Sequence, residues 1–401
     1  MTATFAAVTH DKVLGLLLGG ALGDALGAPF EGRPSVDAAD LAAEERAPSR
    51  LVHTDDTALT LALAEHLAQR RDAERLDVDA LALEFARAWR AEPWRGYGSG
   101  TPHVFGLINA GVPWTEASRA TFQGQGSYGN GAAMRVAPVA LVADSLHHAA
   151  ELGQRSAEPT HSHKHGQHGA ACQAAAAYLA LHSDPAHPLD RTRFLQDLAR
   201  AVRSRPWHEK FDRVAELTRN GARPKHTAHA LGNDASSLGS VPTALTAFLT
   251  HPDETTQTIR YAIQAGGDAD TIAAMAGTLA GARNGATTLS RALISRLEAA
   301  DQLHHLADQL AGHPITLPSR QGRVRGVTDT NTNPAVTRNE IIDAVEDAFR
   351  DGSATTQEIL DAAIRYEAPV ELQATLQRLP DRTFGHVRDL WDHLPDVPLG
   401  D

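Results

Sequence analysis

The sequence has almost no cysteine and no block of positive charge. Cys172 is the single cysteine among 401 residues, so no disulfide can form within the chain and a reducing compartment is expected. Lys and Arg number 37 against 49 Asp and Glu, a formal net charge of −12, and they form no basic run. This balance argues against nucleic acid as the main partner.

Long apolar runs are also missing. No segment reaches the roughly 18 consecutive apolar residues that cross a membrane. The nearest candidate, Val13 to Leu22, is interrupted by glycines and followed at once by Asp24. Only Lys12 precedes it as a positive charge, which is little for the basic start of a signal peptide. We therefore expect no membrane attachment and a cytoplasmic location.

Alternation of apolar and polar residues with a period of two is almost absent, and aromatic residues make up only 5% of the chain. Alanine and leucine dominate instead, and Leu59, Leu63 and Leu67 recur at helical spacing. The sequence predicts an all-α fold. Within it, residues 32–50 are expected to form a surface loop and residues 132–145 a helix.

The amino-acid composition of the chain changes beyond residue 313. Residues 314–334 hold more loop formers than helix formers, which predicts a linker. We expect a first domain over residues 1–313 and a separate C-terminal helical module over residues 335–401. Three short helical patterns mark that module, at 337–350, 354–364 and 368–377.

Two pairs of aspartates stand at the starts of apolar helical patterns, more than 200 residues apart. The pairs are Asp55 with Asp56 and Asp268 with Asp270, and each is next to a threonine. Locally such residues are typical of helix caps, because their oxygens accept hydrogen bonds from the first free N–H groups. If the two helix starts meet, four carboxylates and two hydroxyls would form an all-oxygen site suited to Mg²⁺ or Mn²⁺. Two ions would balance that charge best.

An aspartate-rich Mg²⁺ motif on a helix is also typical of isoprenoid-diphosphate enzymes. That chemistry needs a second carboxylate one helical turn after the first. Leu59 stands four residues after Asp55, so the sequence disfavours this alternative.

A glycine-rich stretch at residues 124–131 predicts a close approach between backbone and ligand. Gly126 and Gly129 let the backbone come near a bound group, and successive N–H groups that open a helix would bind a diphosphate. A simple glycine turn is the alternative. Phe122 and Tyr128 have aromatic faces that could stack on the base or sugar of such a ligand.

Four histidines, His161, His163, His165 and His168, lie close together in the sequence. They could bind a transition metal, although a flexible, solvated loop is the interpretation that the composition favours.

Five motifs in this order resemble the ADP-ribosylglycohydrolase family, over about residues 11–290. They are Gly23-Asp24-Ala25-Leu26-Gly27-Ala28, Thr54-Asp55-Asp56-Thr57, GSYGNGAAMR at 126–135, Ser240-Val241-Pro242-Thr243-Ala244 and GGDADT at 266–271. Within the family, Phe122 and the Thr160-His161 pair are most similar to the branch that removes ADP-ribose from serine and cleaves poly(ADP-ribose).

The resemblance implies an all-α enzyme with two Mg²⁺ ions, or Mn²⁺ in their place. Its expected substrates are ADP-ribosylated proteins or small molecules that contain ADP-ribose, and a monomer is expected. Six positions match metal ligands: Thr54, Asp55, Asp56, Asp268, Asp270 and Thr271. Three match catalytic positions: Glu31, a mobile acid beside the metals, with Asp55 and Asp56. Eight match substrate contacts: Phe122, Gly126, Ser127, Tyr128, Gly129, Asn130, Gly131 and His161.

Two alternatives to this function stay open, a hydrolase for ADP-ribosyl-arginine and an ADP-ribose-binding protein without catalysis. Ala269 stands where relatives commonly have threonine, which leaves the ligand positions intact, and Gly239 stands where they often have glutamate. Asp24 is expected only to cap or pair within the glycine-rich packing around it. The role of the C-terminal module is not indicated.

Overall fold

The structure, a computed structural model, describes residues 8–70, 76–311, 336, 338–349, 353–366, 368 and 370–398. It contains two compact units, Met1–Pro318 and Ser319–Asp401. Residues 314–334 lie outside the described residues. The linker and the domain boundaries at 313 and 335 therefore stay predictions.

The first unit is built from helices, which confirms the prediction of an all-α fold. Its α-helices are α1 His10–Gly27, α2 Ala38–Arg46, α3 Asp55–Gln69, α4 Val78–Ala91, α5 Thr101–Asn109, α6 Trp114–Ala117, α7 Leu146–Ala157, α8 Lys164–His182, α9 Arg191–Ala201, α10 Arg205–Arg219, α11 Pro224–Leu231, α12 Ser237–Thr250, α13 Thr255–Gln264, α14 Ala269–Asn284, α15 Arg291–Ile294 and α16 Ala300–Ala311. Short 3₁₀ helices lie at Ala28–Phe30, Phe122–Gly124, Ala137–Leu141 and Ala286–Thr288.

The second unit has its own small core, formed among others by Ile341, Ile359, Leu376 and Phe384. Its elements are α17 Arg338–Val345, α18 Thr356–Arg365, α19 Val370–Leu376, 3₁₀ helices at Glu346–Phe349 and Val387–Asp392, and strands β1 Ala354–Thr355 and β2 Thr383–Phe384, which pair antiparallel. Thr355 and Glu358 form a reciprocal capping box at the start of α18.

Helices α1 and α14 pack against each other at unusually close range. Gly15, Gly19, Gly23 and Gly27 follow one another at four-residue spacing along α1, so they share one face. A Cβ at Gly27 would lie 2.5 Å from Asp270 Cα, and one at Gly19 or Gly23 would overlap a backbone carbonyl of α14. The absence of side chains on this face therefore allows the two backbones to touch, and it brings the start of α14 beside the end of α1.

Residues 32–50 were expected to form a loop, and this prediction is wrong over Ala38–Arg46, which is helix α2. Alanine has the highest helix propensity, and Leu41 anchors the helix by burial in the core. The expected helix over residues 132–145 is also wrong, because the chain forms turns at 131–135 and a 3₁₀ helix at Ala137–Leu141. Pro138 lacks the N–H that an α-helix needs at this point.

Helix α1 and the turn after it, His10–Phe30, are long and apolar enough to cross a membrane by length and composition alone. Within the described residues, 83% of the apolar window is buried inside the protein. Packing against α14 accounts for the apolar character of this helix.

We expect Gly19→Ala to lower the free energy of unfolding by roughly 1 to 3 kcal/mol, the usual cost of forcing extra atoms into a packed core. The added methyl would meet the Gly277 carbonyl oxygen, which is backbone and cannot rotate away. Denaturant unfolding followed by circular dichroism measures this change.

Gly106→Ala is the matched control, because Gly106 lies within α5 and a Cβ there would meet nothing within 4 Å. It should leave stability unchanged or raise it by up to about 1 kcal/mol through helix propensity. Equal effects of the two substitutions would contradict the close-packing account.

Candidate metal centre and ligand pocket

The first acidic motif is held in place by a buried carboxylate from another helix. Thr54 caps α3, and its Oγ1 accepts a hydrogen bond from Asp56 N at 3.3 Å. Asp24 of α1 is fully buried and accepts from Thr54 N at 3.1 Å, from Thr54 Oγ1 at 2.8 Å and from Thr57 N at 3.1 Å. Capping and site formation are therefore compatible at this helix start, and Asp24 fixes its position.

Arg95 supports the same motif from the opposite side. Its carbonyl accepts from Asp55 N at 2.8 Å, and its Nη1 donates to His53 O at 3.0 Å. The guanidinium is itself held by Glu298 Oε2 at 2.7 Å and by Glu92 Oε1 at 2.7 Å. Arg95 was not predicted, since nothing in the local sequence distinguishes it from a surface arginine.

The second acidic motif begins α14 after a turn that requires glycine. Gly267 has φ +68°, and a Cβ there would overlap the Asn233 backbone. Asp268 N donates to Asn233 O at 2.8 Å, which fixes the turn.

Three acidic groups meet at this turn. Ligand oxygens of Glu31, Asp268 and Asp270 all lie within 4.8 Å of one another. Asp55 and Asp56 are not part of this tightest group. They are connected to it through Thr271, whose Oγ1 donates to Asp56 Oδ2 at 3.2 Å. The structure therefore brings the two predicted pairs together, with the predicted Glu31 beside the second pair.

Burial and mutual repulsion raise the pKa values of these carboxyl groups. Burial, followed by the charge of Asp24, raises the pKa of Asp55 to about 7, and burial with the charge of Asp268 raises that of Asp270 to about 8. The pKa values of Asp56 and Asp268 are also raised, mainly by burial. A site with this much unfavourable negative charge favours the binding of cations.

The oxygen atoms of the acidic group suit a metal ion. Among the described residues, Asp56 Oδ1 and Asp270 Oδ1 are buried and have no hydrogen-bond partner. Such oxygens are costly unless something binds them, and the surrounding ligand atoms are all oxygens. The residues present therefore fit a hard divalent cation.

A cavity of about 580 Å³ opens above the acidic group. Its lining includes the predicted acidic and threonine residues Glu31, Asp55, Asp56, Asp268, Asp270 and Thr271. It also includes the predicted ligand contacts Phe122, Ser127, Tyr128, Gly129, Asn130, Gly131 and His161. Gly98, Ser99, Asp234 and Ser236 also line it and were not predicted. Of the predicted site residues, Thr54 and Gly126 are not among those that line the cavity.

The glycine-rich loop is joined directly to the acidic group. Gly129 forms a bridge with Ser236, and Asn130 N donates to Ala235 O at 2.9 Å. The Asn130 side chain donates to Asp268 Oδ2 and, at 3.0 Å, to Ser240 Oγ. No α-helix follows this loop, so the expectation of a helix N-terminus here is wrong. The loop is instead held by side-chain bonds and by residues 235–237.

Two exposed aromatic residues stand on the wall of the cavity. Phe122 and Tyr128 are 47% and 46% exposed, and their ring centroids lie 5.6 Å apart. Phe122 and Gln123 have φ of +51° and +58°, a conformation that is unusual for residues other than glycine. Exposed rings on a strained backbone are typical of a binding surface and not of a core.

The histidine tract does not form a flexible loop, and that prediction is wrong. His163 caps α8 by accepting from His165 N at 3.1 Å, so residues 164–168 are already helical. His161 is buried before this helix, with Nδ1 at 2.7 Å from Thr160 Oγ1. It lines the cavity, and its contact with a ligand stays a prediction.

A sequence profile of the family described as ADP-ribosylglycohydrolase matches residues 6–318. The chain belongs to the ADP-ribosylglycohydrolase family. This confirms the predicted family and the predicted class of enzyme, a hydrolase. The matched residues cover the whole described part of the first unit.

Several relatives are similar over most of their length. ADP-ribosylhydrolase ARH3 of Gallus gallus is 33% identical, over 74% of this chain and 91% of the relative. The protein of the same name from Homo sapiens is 32% identical, over 76% of this chain and 94% of the relative. The ADP-ribosyl-[dinitrogen reductase] glycohydrolase of Rhodospirillum rubrum is 27% identical over 72% of this chain and 91% of its own.

A solved structure described as "ADP-ribosylglycohydrolase-related protein complex" shares the fold, with a TM-score of 0.56 and 25% identity. It covers 76% of this chain and 98% of the solved chain. These similarities place the chain in the branch of the family that contains the ARH3 proteins.

We expect a divalent cation to stabilise the protein, and to do so more strongly at high pH. A carboxyl group with a pKa of 3.8 when unfolded and about 7 or 8 when folded binds more protons in the folded state. Without a cation, the stability from these groups is therefore lost as pH rises through about 7 and 8. A bound cation offsets that loss, by about 2.7 kcal/mol at 100 times its dissociation constant.

Thermal unfolding with Mg²⁺, with Mn²⁺ and with a chelator, at about one pH unit below and above these pKa values, measures the effect. The exposed Asp212 in α10 provides a control, since Asp212→Ala should retain the whole shift. Equal stabilisation at both pH values, or none, would contradict the prediction.

Proposed function

We propose that this protein is a Mg²⁺-dependent hydrolase that removes ADP-ribose from modified proteins, with O-linked ADP-ribosyl-serine as the preferred linkage. One observation carries the proposal. A single cavity joins the acidic group to the exposed aromatic pair, with the glycine-rich loop between them. A distal ribose, a diphosphate and an adenosine fit these three surfaces in that order.

The names of the relatives support the same activity. The vertebrate relatives that cover three quarters of the chain are named ADP-ribosylhydrolase, at 32 to 33% identity. The relative named for ADP-ribosyl-dinitrogen reductase is less similar, at 27%. This order favours the serine-type branch over the others.

Two Mg²⁺ ions are proposed for the acidic centre, with Mn²⁺ as the alternative. Their ligands would be Thr54, Asp55, Asp56, Asp268, Asp270 and Thr271. When bound, the ions would neutralise the carboxylates, orient the 2″ and 3″ hydroxyls of the distal ribose and increase the acidity of a nearby water. The two buried carboxylate oxygens without hydrogen bonds support this assignment.

The protein's own residues orient the substrate for hydrolysis at the anomeric carbon of the distal ribose. Water adds to that carbon, the bond to the serine oxygen breaks, and the oxygen leaves with the electron pair and takes a proton. Glu31 lies beside Asp268 and Asp270, and burial with the charge of Asp268 raises its pKa. A carboxyl group of raised pKa is suited to carry a proton between water and leaving group.

The glycine-rich loop and the aromatic pair would bind the rest of the substrate. The backbone of Ser127 to Gly131, with Gly126 shaping the turn, would bind the diphosphate. Phe122 and Tyr128 would stack on the adenosine, an arrangement that contributes about 1 to 3 kcal/mol per base in nucleic-acid proteins. His161 would contact the ligand from beside the glycine-rich loop.

We also propose further substrates, an oligomeric state and a cellular location for this protein. Cleavage of poly(ADP-ribose), or of small ADP-ribosyl conjugates, uses the same anomeric carbon. A monomer in the cytoplasm is proposed, and the lone Cys172 is buried and free, in keeping with a reducing compartment.

Two other functions use the same pocket. A hydrolase for ADP-ribosyl-arginine would differ only in the leaving group, and a binding protein would hold ADP-ribose without releasing it. The complete set of acidic residues supports catalysis over binding alone, because binding the diphosphate and adenosine does not require it.

The test compares peptides that carry serine-linked and arginine-linked ADP-ribose, with Mg²⁺ and with a chelator. We expect release from serine, only with Mg²⁺, and a loss of more than roughly 100-fold in turnover for Asp270→Ala, above the usual effect of removing a group outside the ligand set. Asp212→Ala should keep normal turnover. Release from arginine, binding without release, or near-normal turnover of Asp270→Ala would each reject the proposal as stated.

A further inference from the structure

A buried arginine lies behind the ligand pocket. Arg135 closes the glycine-rich motif and is 1% exposed. Its Nη1 donates to Gly131 O at 2.8 Å and its Nη2 to Thr160 Oγ1 at 2.7 Å, while its guanidinium stacks 4.3 Å from the centre of the Phe85 ring. Burial of a cation is costly, so a side chain held in this way is expected to have a specific role.

The hydrogen bonds of Thr160 fix where its one proton goes. Arginine is only a donor, so the Thr160 hydroxyl must accept from Arg135. Its own proton can go to His161 Nδ1 at 2.7 Å or to Ala157 O at 3.4 Å. The Ala157 carbonyl already accepts from Thr160 N at 3.0 Å and from His161 N at 2.8 Å. The contact to His161 Nδ1 is shorter and unshared, so the distances favour Nδ1 as the acceptor of this proton.

This arrangement determines the state of the His161 ring. A nitrogen that accepts a hydrogen bond carries no proton, so a neutral ring has its proton on Nε2. Burial, with the neighbouring Arg135 charge, lowers the pKa of His161 to about 3, which keeps the ring neutral.

The Nε2 edge of the ring faces the glycine-rich loop. A Cβ built on Gly131 would lie 3.5 Å from His161 Nε2, and one on Gly129 would lie 3.8 Å from it. Both glycines and His161 line the same cavity. A proton on Nε2 therefore adds one more donor to the backbone N–H groups of the loop.

We propose that Arg135 and Thr160 are positioning residues that fix His161 as a neutral hydrogen-bond donor to an anionic oxygen of the ligand. Arg135 orients the Thr160 hydroxyl, the hydroxyl donates to Nδ1, and Nε2–H points to the pocket. The ligand group is a diphosphate oxygen, which only accepts. The assignment of this ligand rests on the proposed function, whereas the state of the ring is measurable without it.

Nitrogen NMR of the histidine side chains in the full chain tests the first part. The His161 signals are identified by their loss in His161→Gln. We expect Nδ1 to be the nitrogen without a proton and Nε2 to be the protonated one. A protonated Nδ1 in the wild-type protein would overturn the proposal, whatever the enzyme does with substrate.

Calorimetric titration with ADP-ribose tests the second part. Thr160→Val keeps the shape of the side chain and removes the hydroxyl, so we expect the His161 signals to shift and affinity to fall about tenfold, which corresponds to roughly 1.4 kcal/mol. Thr160→Ser restores the hydroxyl and should restore both. Unchanged signals and affinity in Thr160→Val would also overturn the proposal.

Phe122→Ala separates this role from the rest of the pocket. It should weaken ADP-ribose binding by removing a stacking surface while leaving the His161 signals unchanged. If wild-type protein shows the expected ring state but binds no ADP-ribose, the proposed function fails and the assignment of the diphosphate fails with it. Altered His161 signals in Phe122→Ala would overturn the claim that Arg135 and Thr160 set the state of the His161 ring.

Discussion

Carboxylates that repel one another converge in one pocket of this protein, and much of the surrounding structure serves to hold them there. Asp55, Asp56, Asp268 and Asp270 all have pKa values raised mainly by burial. Neighbouring carboxylates add to this effect, and their mutual repulsion would spread the helix starts apart unless other contacts kept them together. Backbone packing therefore holds the carboxylates together, and a bound cation would neutralise their negative charge.

The restraint begins with the glycine face of α1. Because Gly27 leaves room for the Asp270 backbone, α14 starts directly beside the end of α1. Asp24, on the same helix, then accepts the N–H and hydroxyl groups of Thr54 and Thr57. Helix α1 thus positions both acidic motifs. This role explains why α1 is rich in glycine although it supplies none of the proposed metal ligands. Arg95 completes the support from the other side of α3.

The glycine-rich loop in the pocket lining is also held by few residues with several contacts each. Asn130 connects the glycine-rich loop to Asp268, so the ligand-binding loop and the acidic centre cannot move independently without breaking that bond. Arg135, at the end of the same motif, holds Gly131 and Thr160 from behind. A short stretch of sequence therefore shapes the loop, contacts the acids and orients His161.

The acidic pairs, the glycine-rich loop and the aromatic candidates could be identified from the sequence because each has an unusual local composition. Arg95 could not, because it becomes part of the site only through contacts with residues far away in the chain. Asp234 could not either, because no local pattern distinguishes it and only the fold brings it to the cavity lining. Asp24 was underestimated for the same reason, since its partners lie 30 residues further on. The failed helix at residues 132–145 has a local cause, Pro138, whereas helix α2 shows that an alanine-rich stretch can outweigh its polar neighbours.

The central claim is that the two acidic motifs form one metal centre. Anomalous diffraction from crystals grown with Mn²⁺ tests it most directly, because it locates the ion without assuming any activity. We expect anomalous density between the carboxylates of Asp55 and Asp56 on one side and those of Asp268 and Asp270 on the other. Density only at the histidines, or none near these four aspartates, would contradict it.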